Sequence, residues 1–117
     1  MAASVNDVEN FLKRFKGKMD AFGIYFPGRM KNIKSRSERE ITIDQLRDTL
    51  RNIEVSNYHK GPIKNMDDSA EPIWIFGADI NGTEYYIKLT LGIENNMVGC
   101  ISFHEAENTL NYPHKEG

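Results

Sequence analysis

Apolar residues recur every third or fourth place near the start of the chain: Val8, Leu12, Phe15, Met19 and Phe22, with Phe11 beside them. That is the repeat of one helix face. Lys13, Arg14, Lys16 and Lys18 fall off the stripe, so the segment predicts an amphipathic helix of about four turns that covers one side of a sheet. Ser4 or Asn6 can cap it ahead of acidic Asp7 and Glu9, and it ends near Gly23. Ile24-Tyr25-Phe26 is a short apolar run, a candidate strand, broken by Pro27-Gly28. A second helix is predicted from Thr42, where Thr42 and Gln45 have capping-box spacing. Leu46, Leu50 and Ile53 form its apolar edge, with Ile43 in its first turn, and it ends around Asn52 to Glu54. Gly61-Pro62 is expected to stop regular structure, which makes the polar run to Glu71 a loop.

From Pro72 to Glu105 the period changes. Three runs rich in β-branched and aromatic residues are separated by turn residues, a strand signature. Asn81-Gly82 lies between the first two, and both residues accept the positive φ of a type I′ hairpin turn. The prediction is a three-stranded antiparallel meander. A two-residue turn pairs Ile80 with Thr83, Gly77 with Tyr86, Ile75 with Lys88 and Trp74 with Leu89. Alternation then gathers Trp74, Phe76, Tyr85, Ile87, Leu89 and Leu91 on one apolar, buried face. Ile101 and Phe103 should join them from the third strand, opposite Leu89 and Ile87, after a loop at Glu94-Asn95-Asn96. Ala106 to Gly117 reads as a polar tail, with Leu110 and Tyr112 available to tack it to the body. The fold class expected is α+β: two helices packed on one face of a small antiparallel sheet built around the meander.

The opposite face holds the polar chemistry. On this register it carries Ile75, Gly77, Tyr86 and Lys88, with Tyr86 opposite His104 and Lys88 opposite Ser102. Cys100 shares that face but stands four residues, about 13 Å along a strand, from His104. Lys60 approaches from the loop before the sheet. A phenol, an imidazole and ammonium groups suit metal-free RNA cleavage. That reaction needs a proton acceptor for the 2′-hydroxyl, a proton donor for the leaving 5′-oxygen and cations for the phosphorane charge. His104 can exchange the proton, Lys60 and Lys88 can offset the charge, and Tyr86 can position a phosphate or stack a base. A solvated sheet face would carry the same residue types.

Composition narrows the alternatives. At 117 residues the chain is one domain, 1–117, with enough length for a single core. Its apolar runs are far shorter than a bilayer, residues 1–20 are polar and charged rather than signal-like, and Cys100 is the one cysteine. No membrane partner, no internal disulfide and a cytoplasmic location are therefore expected. His59, His104 and His114 lack the paired spacing of metal ligands, so neither a metal nor another cofactor is expected. The net charge of −2 hides an asymmetry: residues 13–39 hold nine Lys/Arg against Asp20 and Glu38. The remainder holds six against fifteen acidic residues. Arg29, Lys31, Lys34, Arg36 and Arg39 follow without periodicity and read as a basic loop, a candidate RNA-binding segment.

Four short motifs carry a family resemblance over Ile43 to Glu105. They are Asn57-Tyr58-His59-Lys60 after the second helix, Ile73-Trp74 opening the meander, Tyr85-Tyr86-Ile87-Lys88-Leu89 in its middle strand and Ile101-Ser102-Phe103-His104-Glu105 at its end. In order and spacing the segment resembles the motility quorum-sensing regulator toxins, a branch of the RelE-like messenger-RNA endonucleases of toxin–antitoxin systems. The resemblance implies a RelE-like fold whose sheet face takes RNA, and a metal-independent endoribonuclease acting on single-stranded or ribosome-bound mRNA. It also implies an antitoxin protein as partner. The family's active lysine would fall on Lys60, its tyrosine on Tyr86 and its last-strand basic residue on His104. Its active glutamine would fall on Ile75, which has no hydrogen-bonding side chain. The alternative is a non-catalytic RNA- or protein-binding domain of the same fold.

Overall fold

Two capped helices frame the core. The structure, a computed structural model, describes residues 2–26, 42–64, 71–92 and 96–115. Helix α1 (Val5–Phe22) is capped by Ser4, whose hydroxyl accepts from the Asp7 N–H at 3.1 Å. Gly23, at φ +90°, ends it. The stripe is buried at Val8, Phe11, Leu12, Phe15 and Met19, but Phe22 is 45 % exposed. Phe22 sits in the last turn, just before the outermost strand, where the core runs out. Two of the off-stripe lysines tie α1 down: Lys16 Nζ donates to the Ile53 carbonyl and Lys18 Nζ to the Leu91 carbonyl, each at 2.6 Å. Helix α2 (Ile43–Arg51) has both halves of its Thr42/Gln45 capping box, and it buries Leu46 and Leu50 fully.

The sheet has five strands in the order β1-β5-β4-β3-β2: β1 (Ile24–Tyr25), β2 (Tyr58–Ile63), β3 (Ile73–Ile80), β4 (Thr83–Thr90) and β5 (Val98–Glu105). It is mixed rather than wholly antiparallel, because β1 runs parallel to β5. A parallel neighbour needs a long crossover, and the chain between β1 and β5 includes α2 and the other three strands. The β3–β4 register is the one the Asn81-Gly82 turn dictates, from Ile80↔Thr83 to Ile73↔Thr90. Asn81 and Gly82 take φ of 54° and 86°.

Strand β2 replaces the expected loop. A 3-10 turn over Val55–Asn57 leads into it, and Asn57 Nδ2 donates to the Gly77 carbonyl at 2.9 Å. Gly61-Pro62 lies inside the strand rather than ending it, with Gly61 at φ +126° packed against the Ile73 carbonyl. The pairing slips twice, at Tyr58/Lys60 and Lys60/Ile63, so an irregular edge strand carries the residues that break a regular one.

Strand β5 departs from expectation at one place. Ile87↔Phe103, Tyr86↔His104 and Lys88↔Ser102 hold, but Leu89 faces Cys100 instead of Ile101. Ile101 is the extra residue of a bulge. The reason is spacing. Val98 pairs with Ile24 of β1 and is fully buried, and so is Phe103. Five residues separate them, an odd number, and a strict two-residue period would put them on opposite faces. One inserted residue restores both to the core and turns Cys100 inward, 0 % exposed, rather than onto the face that carries His104. Burial pushes the Cys100 thiol up to about 12.

One core results, from α1, α2, Tyr58, Phe76, Tyr85, Ile87, Leu89, Val98 and Phe103, with Trp74 packed against it at its margin. No helix among the described residues is long and apolar enough to cross a membrane. The C-terminal segment 106–115 crosses the opposite face of the sheet. Ala106 N–H donates to the Glu84 carbonyl at 2.9 Å, Leu110 N–H to Glu84 Oε1 at 3.0 Å and the Tyr112 hydroxyl to Glu84 Oε2 at 2.6 Å. The Asn111 carbonyl lies 2.7 Å from His59 Nδ1, and the Ala3 carbonyl 2.6 Å from His114 Nε2. This segment acts as a strap from the end of β5 to the N-terminus.

Candidate functional site

Alternation puts Glu84, Tyr86 and Lys88 of β4 on the strapped face, because Tyr85, Ile87 and Leu89 face the core. Cross-strand pairing then sets the geometry of the next neighbours. Tyr86 and His104 are register partners, and their rings stack with centroids 5.1 Å apart and planes 20° apart. Lys88 Nζ lies 5.8 Å from the Tyr86 ring centroid, within cation–π range. Burial raises the Tyr86 phenol above its ordinary value of 10.0, so at neutral pH the phenol is a hydrogen-bond donor and not a base. His104 is exposed, and its Nδ1 lies 2.8 Å from the Glu105 carbonyl.

These groups border a cleft of about 400 Å³ lined by His59, Tyr86, His104, Glu107, Asn108, Thr109 and Leu110. Three strands supply its imidazoles and phenol, and the strap supplies the remaining wall. Tyr86 and His104 come together as the register requires. Lys88 stands beside them through its contact with the Tyr86 ring. Lys60 does not line the cleft: it is exposed on β2, opposite Ile75, in the same cross-strand row as Lys88. Arg29, Lys31, Lys34, Arg36 and Arg39 lie outside the described residues.

Two features limit the open area of this face, one of them the seating of Leu110 and Tyr112 expected from the sequence. Ile75 is 1 % exposed although it belongs to this side of the sheet. The space beside Gly77 is filled: a β-carbon there would collide with the Tyr112 hydroxyl and approach Leu110 Cδ1 to 2.7 Å. The face is therefore half covered, and what stays open is the end near His104.

The sequence pattern does not single out His59 as a site residue, because Gly61-Pro62 marks its segment as a loop where the fold has β2. Alternation after buried Tyr58 turns His59 away from the core, and a bulge keeps Lys60 on the same side. Tyr58 pairs with Phe76 and Lys60 with Ile75, so three residues of β2 span two of β3. The inserted residue lets His59 and Lys60 both turn away from the core that Tyr58 enters. Among the described residues no three His, Cys, Asp or Glu side chains cluster to hold a metal ion.

No protein-family model matches the chain, and no curated protein or solved structure matches it significantly.

Proposed function

We propose that the protein is a metal-independent endoribonuclease, the toxin of a toxin–antitoxin pair, that cleaves single-stranded or ribosome-bound mRNA in the cytoplasm. One observation carries this reading: the Tyr86–His104 stack in an open cleft, with the Lys88 ammonium over the Tyr86 ring. The resemblance of Ile43–Glu105 to the motility quorum-sensing regulator branch supports it, as does a meander-centred sheet with helices on one side, the layout expected of a RelE-like fold. In this scheme His104 exchanges a proton through Nε2. Tyr86 positions the phosphate by donating its phenolic proton, or stacks on a base. Lys88 offsets the negative charge of the phosphorane, and Lys60, outside the cleft, contacts a neighbouring phosphate of the RNA. The basic residues Arg29, Lys31, Lys34 and Arg36 would bind the RNA backbone or the antitoxin.

The test is incubation of the purified protein with RNA in EDTA, followed by mapping of the ends. Attack by the internal 2′-oxygen leaves a 2′,3′-cyclic phosphate and a 5′-hydroxyl. Intact RNA, or cleavage that disappears with chelator, overturns the proposal.

Ile75 favours a second reading, a non-catalytic RNA- or protein-binding domain of the same fold. It is buried and apolar where the resembled family has its active glutamine. Expression that arrests growth argues for the nuclease, and harmless expression of folded protein argues for the binding domain.

A further inference from the structure

Both histidines of the cleft have one ring nitrogen assigned by the backbone. His59 Nδ1 lies 2.7 Å from the Asn111 carbonyl and His104 Nδ1 lies 2.8 Å from the Glu105 carbonyl. A carbonyl oxygen only accepts, so in each case Nδ1 carries the hydrogen and donates it. The neutral ring then has its lone pair on Nε2. Nothing else in the cleft offers two such groups: Tyr86 holds its proton, and Glu107 is the one carboxylate in the lining. Tyr58 enters the core, so strand alternation turns the His59 imidazole to this face.

We infer that His59 is a catalytic residue, the second member of an acid–base pair whose other member is His104. The inference rests on the nuclease reading and deepens it. Neutral Nε2 of one ring removes the 2′-hydroxyl proton as the 2′-oxygen bonds to phosphorus. As the P–O5′ bond breaks, the protonated Nε2 of the other ring gives its proton to the leaving 5′-oxygen. One proton is taken and one delivered, so each turnover exchanges the protonation states of the two rings. The titratable groups that line the cleft with His59 are Tyr86 and His104 from β4 and β5 and Glu107 from the strap; Lys60 follows it on its own strand, and Lys88 Nζ stands over the Tyr86 ring. Strand β3 contributes Ile75 and Gly77, which do not titrate.

The experiment uses His59→Asn in the full chain, with cleavage of a short RNA followed in EDTA. The asparagine side-chain amide can replace Nδ1 as donor to the Asn111 carbonyl, so the strap stays tethered while Nε2 is removed. The expected result is a fall in kcat of about 10²-fold or more, with KM and the melting temperature near wild type. The wild-type pH–rate profile should be bell-shaped, and His59→Asn and His104→Ala should each lose one limb. An RNA whose leaving 5′-oxygen is replaced by sulfur needs no acid, so it should rescue only the variant that lacks the donor. Tyr112→Phe, which loosens the strap without touching either imidazole, should keep both limbs.

Full activity in His59→Asn, rescue of both variants or of neither, or the same loss in Tyr112→Phe overturns the pair. If those results accompany wild-type cleavage that depends on His104, the nuclease reading survives. If the wild type cleaves no RNA, both fall together.

Discussion

The Tyr112 hydroxyl occupies the space where Gly77 would carry a β-carbon. Gly77 is there for that approach: the strap lies on the sheet because β3 presents bare backbone at this point, and Glu84 on the neighbouring strand holds the strap by both carboxylate oxygens. A methyl group at Gly77 must displace the Tyr112 ring, the Leu110 side chain, or both. Gly77→Ala is therefore expected to destabilise the protein by about 1–3 kcal/mol, the usual range for overpacking. Denaturant midpoints at constant m measure it, and an unchanged midpoint would mean that the strap does not seat on β3.

Tyr112 should respond to alkali. Its burial, its hydrogen bond to Glu84 and the charges of Glu84 and Asp79 all raise its phenol above the ordinary value of 10.0. A phenol raised in the folded state stabilises that state fully below the unfolded value near 10, and the contribution is lost as pH rises toward the folded value. The strap should thus stay seated at neutral pH and loosen only above about pH 10. Spectrophotometric titration should show a late-ionising tyrosine that is absent in Tyr112→Phe. That variant should also lose about 0.5–3 kcal/mol with its bond to the carboxylate.

The core centres on Ile87, fully buried between Phe76 and Phe103 in the register. Ile87→Ala is expected to cost about 2–5 kcal/mol, read by thermal or denaturant unfolding. A loss under 1 kcal/mol would mean that this position is not enclosed as described.

The cleft separates two kinds of basic residue. His104 lines it and Lys60 does not. On the nuclease reading, His104→Ala should lower kcat by about 10²-fold or more with the fold intact. Lys60→Ala should act mainly on KM and flatten the salt dependence of RNA binding, as loss of one phosphate contact does. Equal kcat losses in the two variants would place Lys60 at the reacting phosphate instead.

Several elements follow from local rules and were legible in the residues alone. Ser4 and the Thr42/Gln45 box start the helices because the first helical N–H groups need acceptors nearby. Asn81-Gly82 sets the β3–β4 pairing because few residues tolerate positive φ. Once that turn is placed, a two-residue period sends Tyr85, Ile87 and Leu89 inward and leaves Tyr86 on the other face. None of these steps depends on a distant part of the chain.

What tertiary structure decided depends on partners far away in sequence. Strand β2 forms because β3 offers a free edge that compensates for Gly61-Pro62. The bulge at Ile101 exists because β1 fixes Val98 inward, and that demand is invisible until β1 is known to pair with β5. Cys100 is buried and Ile101 displaced as a result. His59 reaches the cleft only because its segment pairs with β3 as a strand, and the face it shares is walled by a strap whose path over β3 and β4 depends on Gly77 and Glu84. Periodicity determines which side of a strand a residue occupies. Whether that side is open, covered or reset by one inserted residue is settled by packing between segments that meet only in the folded chain.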